Sequence, residues 1–238
     1  NNYIYFNCET YPKTNCELWR IIGVVDGKVK LIRNESIGDY SWDTSASTVN
    51  SGYGINEWSQ ADLMKLLNPG YESNTDLNNS GTSITVNNSL YYNSGSGTCY
   101  SGRSNSTKSC NFTSTGLKND TTRNMIEDST YYLGGVSSSK IYSNDSLTME
   151  RGTNVVIPGT TCSGTSCNDT VTRTTSWTGK IGLMYPSDYG YAADLTQCNQ
   201  TLFEYNNATC TTNDWLYNGA EQRLLTPNSS FANSAWIV

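Results

Sequence analysis

The sequence of 238 residues predicts an α+β fold that is rich in strands and contains two short helices and long loops held by disulfides. Three observations support this prediction: a turn signal between two β-rich runs, two segments with helix signals, and close couples of cysteines in polar segments. A chain of this length suits one domain. We therefore expect a single extracellular domain over residues 1–238, with loop insertions at about 72–116 and 152–175.

The clearest predicted element is a β-hairpin. Residues 18–25 and 28–33 are rich in β-branched and other apolar side chains, and Asp26-Gly27 separates them. Two residues of this kind permit the positive φ angles of a type I′ turn. Val29 and Leu31 alternate with lysines, so one face of the second strand is expected to be buried and the other to face water.

Two segments carry helix signals. Ser59 is expected to cap a helix over residues 63–67, and Asp62 suits the positive end of that helix. Asn68-Pro69 ends the helix, since the residue before a proline avoids helical backbone angles. A second, weaker helix is predicted over residues 121–132.

Further strand signals are short. Within the first insertion, residues 83–86 and 89–92 are candidate strands between Gly-, Ser- and Asn-rich stretches. Residues 180–185 also have strand character, which Pro186 ends, and a turn is expected to follow. Residues 235–238 form the last candidate strand.

Eight cysteines stand in four close couples in a chain that has no histidine. The couples are Cys8 with Cys16, Cys99 with Cys110, Cys162 with Cys167, and Cys198 with Cys210. Eight cysteines allow about 105 connectivities, and we prefer the neighbour pairing because each couple brackets a polar segment with little apolar side chain to bury. Cytosolic thiols are kept reduced, so this pattern predicts an extracellular protein. Neither zinc-ligand nor CxxC redox spacing is present, and we expect no metal and no cofactor.

The composition argues against some classes of binding partner. The formal net charge is −6, with 15 lysines and arginines spread along the chain, and this argues against nucleic acid and anionic membranes as partners. No run reaches the ~18 apolar residues of a membrane span, so this segment is not expected to insert into a membrane. Seventeen tyrosines among many Ser, Gly and Asn residues are typical of binding loops, although the same bias also serves solubility.

Several segments together resemble a known group of proteins. They are residues 18–22, 58–68, 177–191, 213–217 and 225–229, and Gly182-Leu-Met-Tyr-Pro-Ser-Asp-Tyr-Gly-Tyr-Ala192 is the most specific. They resemble uncharacterised secreted or surface, pilin-associated proteins of gut Firmicutes and Bacilli, some of which carry a prepilin-like N-terminal segment. The resemblance implies a C-type-lectin-like fold and a bacterial cell-surface or pilus location. Members of that group continue beyond the position of Val238, so we expect truncation here or a last strand supplied by a partner chain.

The resulting functional expectation is a non-catalytic surface or adhesion protein, a display or pilus-associated module that binds a glycan or protein ligand on another cell. The candidate ligand-binding residues are Tyr185, Asp188, Tyr189, Tyr191, Trp215 and Tyr217. Aromatic faces stack on sugars or peptides, and a carboxylate fixes hydroxyl groups; each aromatic residue could instead belong to the core. The alternative function is a structural subunit of an extracellular filament, in which strands pair between copies of the chain.

An enzyme is not expected. Without histidine the chain has no Ser-His-Asp or Cys-His arrangement. A pair of carboxylates could cleave glycosides, but the spacing of Glu150, Asp188, Asp194 and Glu204 singles out no pair.

Asn-X-Ser/Thr sequons leave a eukaryotic secretory origin open, although a chain this rich in Asn, Ser and Thr produces many by chance. They begin at Asn34, Asn78, Asn87, Asn105, Asn111, Asn119, Asn144, Asn168, Asn199, Asn207 and Asn228.

Overall fold

The computed structural model describes residues 2–44, 54–72, 75–77, 83–102, 105–135, 142–152, 174–227 and 235–237. Over these residues the protein is mixed α+β, with small antiparallel sheets and short helices. The chain divides into two compact units, the first formed by Asn1–Gly54, Gln60–Ser129 and Gly179–Ile181 and the second by Ile55–Ser59, Thr130–Thr178 and Gly182–Val238. The expectation of one domain over residues 1–238 stays a prediction.

The strands are β1 (Tyr3–Phe6), β2 (Glu17–Val25), β3 (Lys28–Arg33), β4 (Thr75–Leu77), β5 (Ser83–Thr85), β6 (Ser96–Tyr100), β7 (Thr107–Asn111), β8 (Ser129–Tyr132), β9 (Ser176–Gly179), β10 (Arg223–Pro227) and β11 (Ala235–Ile237). The helices are α1 (Asp62–Leu67), α2 (Asp120–Met125), α3 (Ser143–Glu150), α4 (Pro186–Ala192) and α5 (Ala208–Thr212), with short 3-10 turns at Trp58–Gln60 and Leu202–Glu204. β1, β2 and β3 form a three-stranded sheet, and the remaining strands pair two by two in chain order.

The predicted hairpin is confirmed as β2 and β3. Asp26 and Gly27 have φ angles of 52° and 78°, as a type I′ turn requires. The prediction that Val29 lies on a buried face is wrong, because Val29 and its cross-strand partner Val24 are both exposed at the tip of the hairpin. The close packing of the sheet lies nearer its other end, where the ring of Phe6 meets that of Trp19 edge-on at 5.4 Å.

The predicted first helix is present as α1, but Ser59 does not cap it. Its N-cap is Ala61, which offers no side-chain hydrogen bond, and the Ser59 hydroxyl donates to Glu57 Oε2 at 2.7 Å instead. Asp62, buried in the first turn, accepts hydrogen bonds from the backbone N–H and the hydroxyl of Thr44. A buried carboxylate needs such partners, and this pairing fixes the start of the helix.

The predicted helix over residues 121–132 is correct only in its first half. Asn119 caps α2 by accepting a hydrogen bond from the backbone N–H of Thr122 at 3.0 Å. The helix stops at Met125, and the chain then enters β8, where Tyr131 and Tyr132 suit a strand paired with β9. Pairing with a segment distant in sequence therefore overrides the local helix signal.

The strand predicted over residues 180–185 is wrong, since the strand in this region is β9, which ends at Gly179. Pro186 starts α4 rather than a turn. Proline suits the first position of a helix because its fixed φ is helical and because the backbone N–H that it lacks would have no partner there. Asp188 Oδ2 accepts from the backbone N–H of Tyr185 at 2.7 Å and completes the cap.

Among the other short strands, the one predicted over residues 83–86 is confirmed as β5 (Ser83–Thr85). The one predicted over residues 235–238 is confirmed over its described part, Ala235–Ile237, as β11, which pairs with β10. Residues 89–92 are not a strand. Ser89 has a φ of 58°, a left-handed conformation that starts a series of turns.

Neighbour pairing is confirmed for three cysteine couples: Cys8–Cys16, Cys99–Cys110 and Cys198–Cys210, separated by 8, 11 and 12 residues. The couple Cys162 and Cys167 lies outside the described residues, as does most of the second insertion. Within the first insertion, Cys99–Cys110 joins β6 to β7. In the described ranges no helix is both long enough and apolar enough to cross a membrane.

Candidate functional site

A small core in the second unit brings the late part of the chain together. We call it the stapled core; it consists of Tyr189, Ala193, Cys198, Tyr205 and Cys210, with Leu202 and Leu216 packed against it. The rings of Tyr189 and Tyr205 lie 6.3 Å apart, and the Tyr205 hydroxyl donates to the carbonyl of Cys198 at 2.9 Å. The disulfide is therefore part of an aromatic core rather than an isolated cross-link.

Local capping positions the loop between the two cysteines. Asn207 precedes α5, and its Oδ1 accepts a hydrogen bond from the backbone N–H of Cys210 at 3.0 Å. Asparagine is a preferred residue at this position because its oxygen satisfies an otherwise unpaired N–H of the first turn. The cap and the disulfide thus fix both ends of the segment from Cys198 to Cys210.

A short antiparallel contact joins the end of α4 to the chain beyond α5. Ala193 forms a β-bridge with Asp214, and the backbone N–H of Asp194 donates to the carbonyl of Asn213 at 3.0 Å. The backbone N–H of Trp215 donates to the carbonyl of Ala192 at 3.3 Å. This contact brings residues 185–193 close to residues 213–217, two segments that supply all six predicted binding residues.

Three of those six residues have structural roles. Tyr185 is buried and its hydroxyl donates to the carbonyl of Tyr132 at 2.9 Å, while burial raises its pKa. Asp188 caps α4. Tyr189 lies in the stapled core, where burial, followed by the nearby Asp214 carboxylate, raises its pKa to about 12. These positions match the core alternative that the sequence also allows for Tyr185 and Tyr189.

The other three predicted residues are aromatic and exposed. Tyr191 is 44% exposed, Trp215 is 39% exposed and Tyr217 is 45% exposed. Tyr191 lies in the last turn of α4, just before Ala193, whereas Trp215 and Tyr217 lie within three residues after Asp214. They are the predicted residues that a ligand can reach, and we call them the aromatic trio.

Asp214, beside the aromatic trio, is a residue that the sequence reasoning missed. It is only 5% exposed; its Oδ1 accepts from the backbone N–H of Leu216 at 2.8 Å, whereas Oδ2 has no partner among the described residues. Burial raises its pKa to about 6. This burial has no local sequence signal, because it depends on the β-bridge between Asp214 and Ala193.

Phe203 was also missed. It is 61% exposed, and it belongs to a groove of about 420 Å³ lined by Gln200, Phe203, Glu204, Asn206 and Asn207. The available signal was the Leu202-Phe203 pair within an otherwise polar stapled segment. Leu202 packs on the stapled core, and its neighbour Phe203 is left facing solvent.

The charge around the site is negative. Between Lys180 and Arg223 the sequence contains five acidic residues and no lysine or arginine. Within this stretch of sequence an anionic ligand would meet carboxylates and neither lysine nor arginine. The site therefore favours neutral ligands.

The acids considered for catalysis each accept hydrogen bonds from neighbouring groups. Glu150 is buried in α3 and accepts a short hydrogen bond from the Ser187 hydroxyl. Asp194 accepts from the hydroxyl and backbone N–H of Thr196, which lower its pKa. Glu204 accepts from the Thr201 hydroxyl at 3.0 Å.

Aromatic faces, amides and carboxylates together suit stacking and hydrogen bonding with a polar ligand. In the described part of the chain, no group of three or more Cys, Asp or Glu side chains is placed to hold a metal ion. Comparisons with family models, curated proteins and solved structures found no match.

Proposed function

We propose that this protein is a non-catalytic extracellular binding module, displayed on a cell surface or pilus, that binds a glycan or protein ligand. One observation carries the proposal: Tyr191, Trp215 and Tyr217 are exposed on segments that pack around the stapled core. Aromatic residues are enriched at recognition surfaces because they supply large, rigid contact area and a polar tip. Their support by a disulfide-linked core lowers the entropy lost on binding.

Two further features support the extracellular part of the proposal. Three disulfides occur in the described residues, and such bonds form and persist in oxidising compartments. The polar, acidic composition suits a secreted surface. The C-type-lectin-like fold belongs to this proposal too, on the strength of the sequence resemblance alone.

The test is a screen of the purified, oxidised protein against glycan arrays and arrays of surface proteins. Wild-type protein is expected to bind a defined set of ligands, and a Tyr191→Ala/Trp215→Ala/Tyr217→Ala variant is expected to lose at least about tenfold in affinity. Tyr5→Ala, at an exposed tyrosine of the first unit, is the matched control and should bind normally. Failure to bind any ligand rejects the function, and an unchanged triple variant rejects these aromatic contacts.

A filament subunit is the second candidate function. The sheet β1-β2-β3 supports it, because β1 and β3 are its edge strands. Its surface also exposes apolar cross-strand pairs, Val24 with Val29 and Tyr5 with Leu18. Exposed strand edges with apolar side chains are templates for pairing with another chain. Ordered fibres in electron micrographs would favour the filament, and a monomer in sedimentation at high concentration would favour the binding module.

A further inference from the structure

We propose that the groove between Gln200 and Asn207 is a binding site for a neutral saccharide, with one sugar ring stacked on Phe203. This inference rests on the proposed function and gives it a ligand class and a second contact region. The groove lies on the segment closed by Cys198–Cys210, and none of its lining residues was among the six predicted ligand-binding residues.

The groove has the size and support of a small-ligand site. Its volume of about 420 Å³ falls within the ~300–1,000 Å³ that is typical of ligand pockets. Phe203 supplies an exposed aromatic face, and the adjacent Leu202 anchors that stretch of backbone to the stapled core. Because Phe203 is 61% exposed, most of its ring gains nothing from packing in the folded chain, whereas a stacked sugar would cover it.

Hydrogen-bonding groups around Phe203 are available for hydroxyls. The Asn206 side chain makes no hydrogen bond to any described residue, so both its donor and its acceptor face solvent. Glu204 uses Oε2 to accept from Thr201, and its Oε1 is available. Gln200 donates through Nε2 to Cys210 Sγ at 2.8 Å, which leaves its Oε1 as an acceptor. An aromatic face beside amides and a carboxylate matches the alternating apolar and hydroxyl-bearing surfaces of a sugar ring.

The groove is also held in place before any ligand arrives. Asn207 caps α5 through Oδ1 and donates through Nδ2 to the carbonyl of Glu204. The backbone N–H of Tyr205 donates to the carbonyl of Leu202 at 3.2 Å and closes the 3-10 turn that carries Phe203. Side chains on a pre-ordered loop lose less entropy on binding than those on an unstructured one.

The negative charge of the groove favours a neutral ligand over an anionic one. The groove contains the Glu204 carboxylate, and the nearest lysine and arginine in sequence are Lys180 and Arg223. Sialylated, sulfated or uronic-acid sugars would bring a second negative charge to it. A wholly apolar ligand would leave the amides of Gln200 and Asn206 without partners once water is displaced. A neutral saccharide avoids both costs.

The experiment uses a glycan array that presents neutral oligosaccharides beside their sialylated and sulfated counterparts, probed with the oxidised full chain. Neutral glycans are expected to bind, and Phe203→Ala to lose at least about tenfold in affinity. Phe203→Trp keeps an aromatic face and should retain binding, and Asn206→Ala should weaken it severalfold. Leu195→Ala removes another exposed apolar side chain of this unit and serves as the control.

The outcomes separate this inference from the proposed function. Glycan binding that is lost in the aromatic-trio variant but unchanged in Phe203→Ala and Asn206→Ala rejects the groove and leaves the function standing. Preference for acidic glycans, or binding to protein ligands alone, likewise rejects the neutral-saccharide site. If the protein binds no ligand at all, both the groove and the proposed function are rejected. Circular dichroism and a thiol assay on each variant confirm that the fold and the disulfides are intact.

Discussion

Replacing Asp214 with asparagine should make the protein more stable at neutral pH. The wild-type carboxyl is buried with Oδ2 unpartnered among the described residues, and burial raises its pKa from 3.8 to about 6. An asparagine at this position keeps a carbonyl oxygen that can accept the hydrogen bond from the backbone N–H of Leu216. It removes the ability to ionise and replaces the other carboxyl oxygen with an uncharged NH2 group.

The direction in which pH changes the free energy of unfolding follows from the raised pKa of Asp214. Between about pH 4 and pH 6 the folded protein binds a proton that the unfolded chain has released, so the free energy of unfolding falls as pH rises through this range. Above about pH 6 the whole cost of a charged, buried carboxylate is present. A shift of about two units corresponds to at most about 3 kcal/mol.

The assay is urea unfolding followed by circular dichroism, for wild type and Asp214→Asn, at intervals from pH 4 to pH 8. At pH 4 both side chains are neutral and similar in shape, so the two proteins should have similar unfolding free energies. The variant should then gain stability relative to wild type as pH rises, reaching about 2–3 kcal/mol by pH 8.

Asp194→Asn is the control for this experiment. Asp194 is exposed and hydrogen bonds from Thr196 lower its pKa, so unlike Asp214 it has no raised pKa within the measured range. Its difference from wild type should stay constant between pH 4 and pH 8. A constant difference for Asp214→Asn as well would refute the burial of an unpaired carboxylate at this position.

Three other predictions follow from the packing. Removing the Cys198–Cys210 disulfide by double alanine substitution should cost about 3 kcal/mol in urea unfolding, because it frees a loop closed over 12 residues; a loss under about 1 kcal/mol would contradict its role in the stapled core. Phe112→Ala, at a fully buried ring of the first unit, should cost about 3–5 kcal/mol, whereas Val29→Ala at the exposed hairpin tip should stay within about 0.5 kcal/mol; equal losses would contradict the assigned burial. Intact mass should be unchanged by glycosidase treatment of protein from its native source, since the sequence resemblance is to bacterial surface proteins and a chain this rich in Asn, Ser and Thr contains many sequons by chance; a mass decrease would favour the eukaryotic alternative.

Features encoded by neighbouring residues were predictable from the sequence. The turn at Asp26-Gly27 needs only two residues with positive φ, and the three confirmed disulfides join cysteines that are close in the chain. In each case the sequence contains both the signal and the partner.

Features that depend on distant pairing were not predictable. Tyr131 and Tyr132 follow a helix signal yet lie in a strand, because β9 pairs with them. The exposure of Val29 reflects the lack of a covering segment at the hairpin tip among the described residues.

The candidate site likewise combines local features that the sequence predicts with long-range features that it does not. Aromatic residues near positions 191 and 215–217 could be chosen from composition and resemblance, but composition does not distinguish buried Tyr189 from exposed Tyr191. Helix α4 makes that distinction by turning one ring toward the stapled core and the other outward. The burial of Asp214 depends in turn on its bridge to Ala193.

Hydroxyl-radical footprinting distinguishes a glycan-binding module from a filament subunit, because it reports which exposed aromatic side chains become covered. The measurement compares the oxidised protein alone with the protein saturated by the tightest-binding neutral glycan from the array. Oxidation is expected to fall at Tyr191, Phe203, Trp215 and Tyr217, with Tyr5 in the first unit unchanged. Protection confined to Tyr5 and the β1-β2-β3 sheet, rising with protein concentration and indifferent to glycan, would contradict this expectation and support a filament subunit.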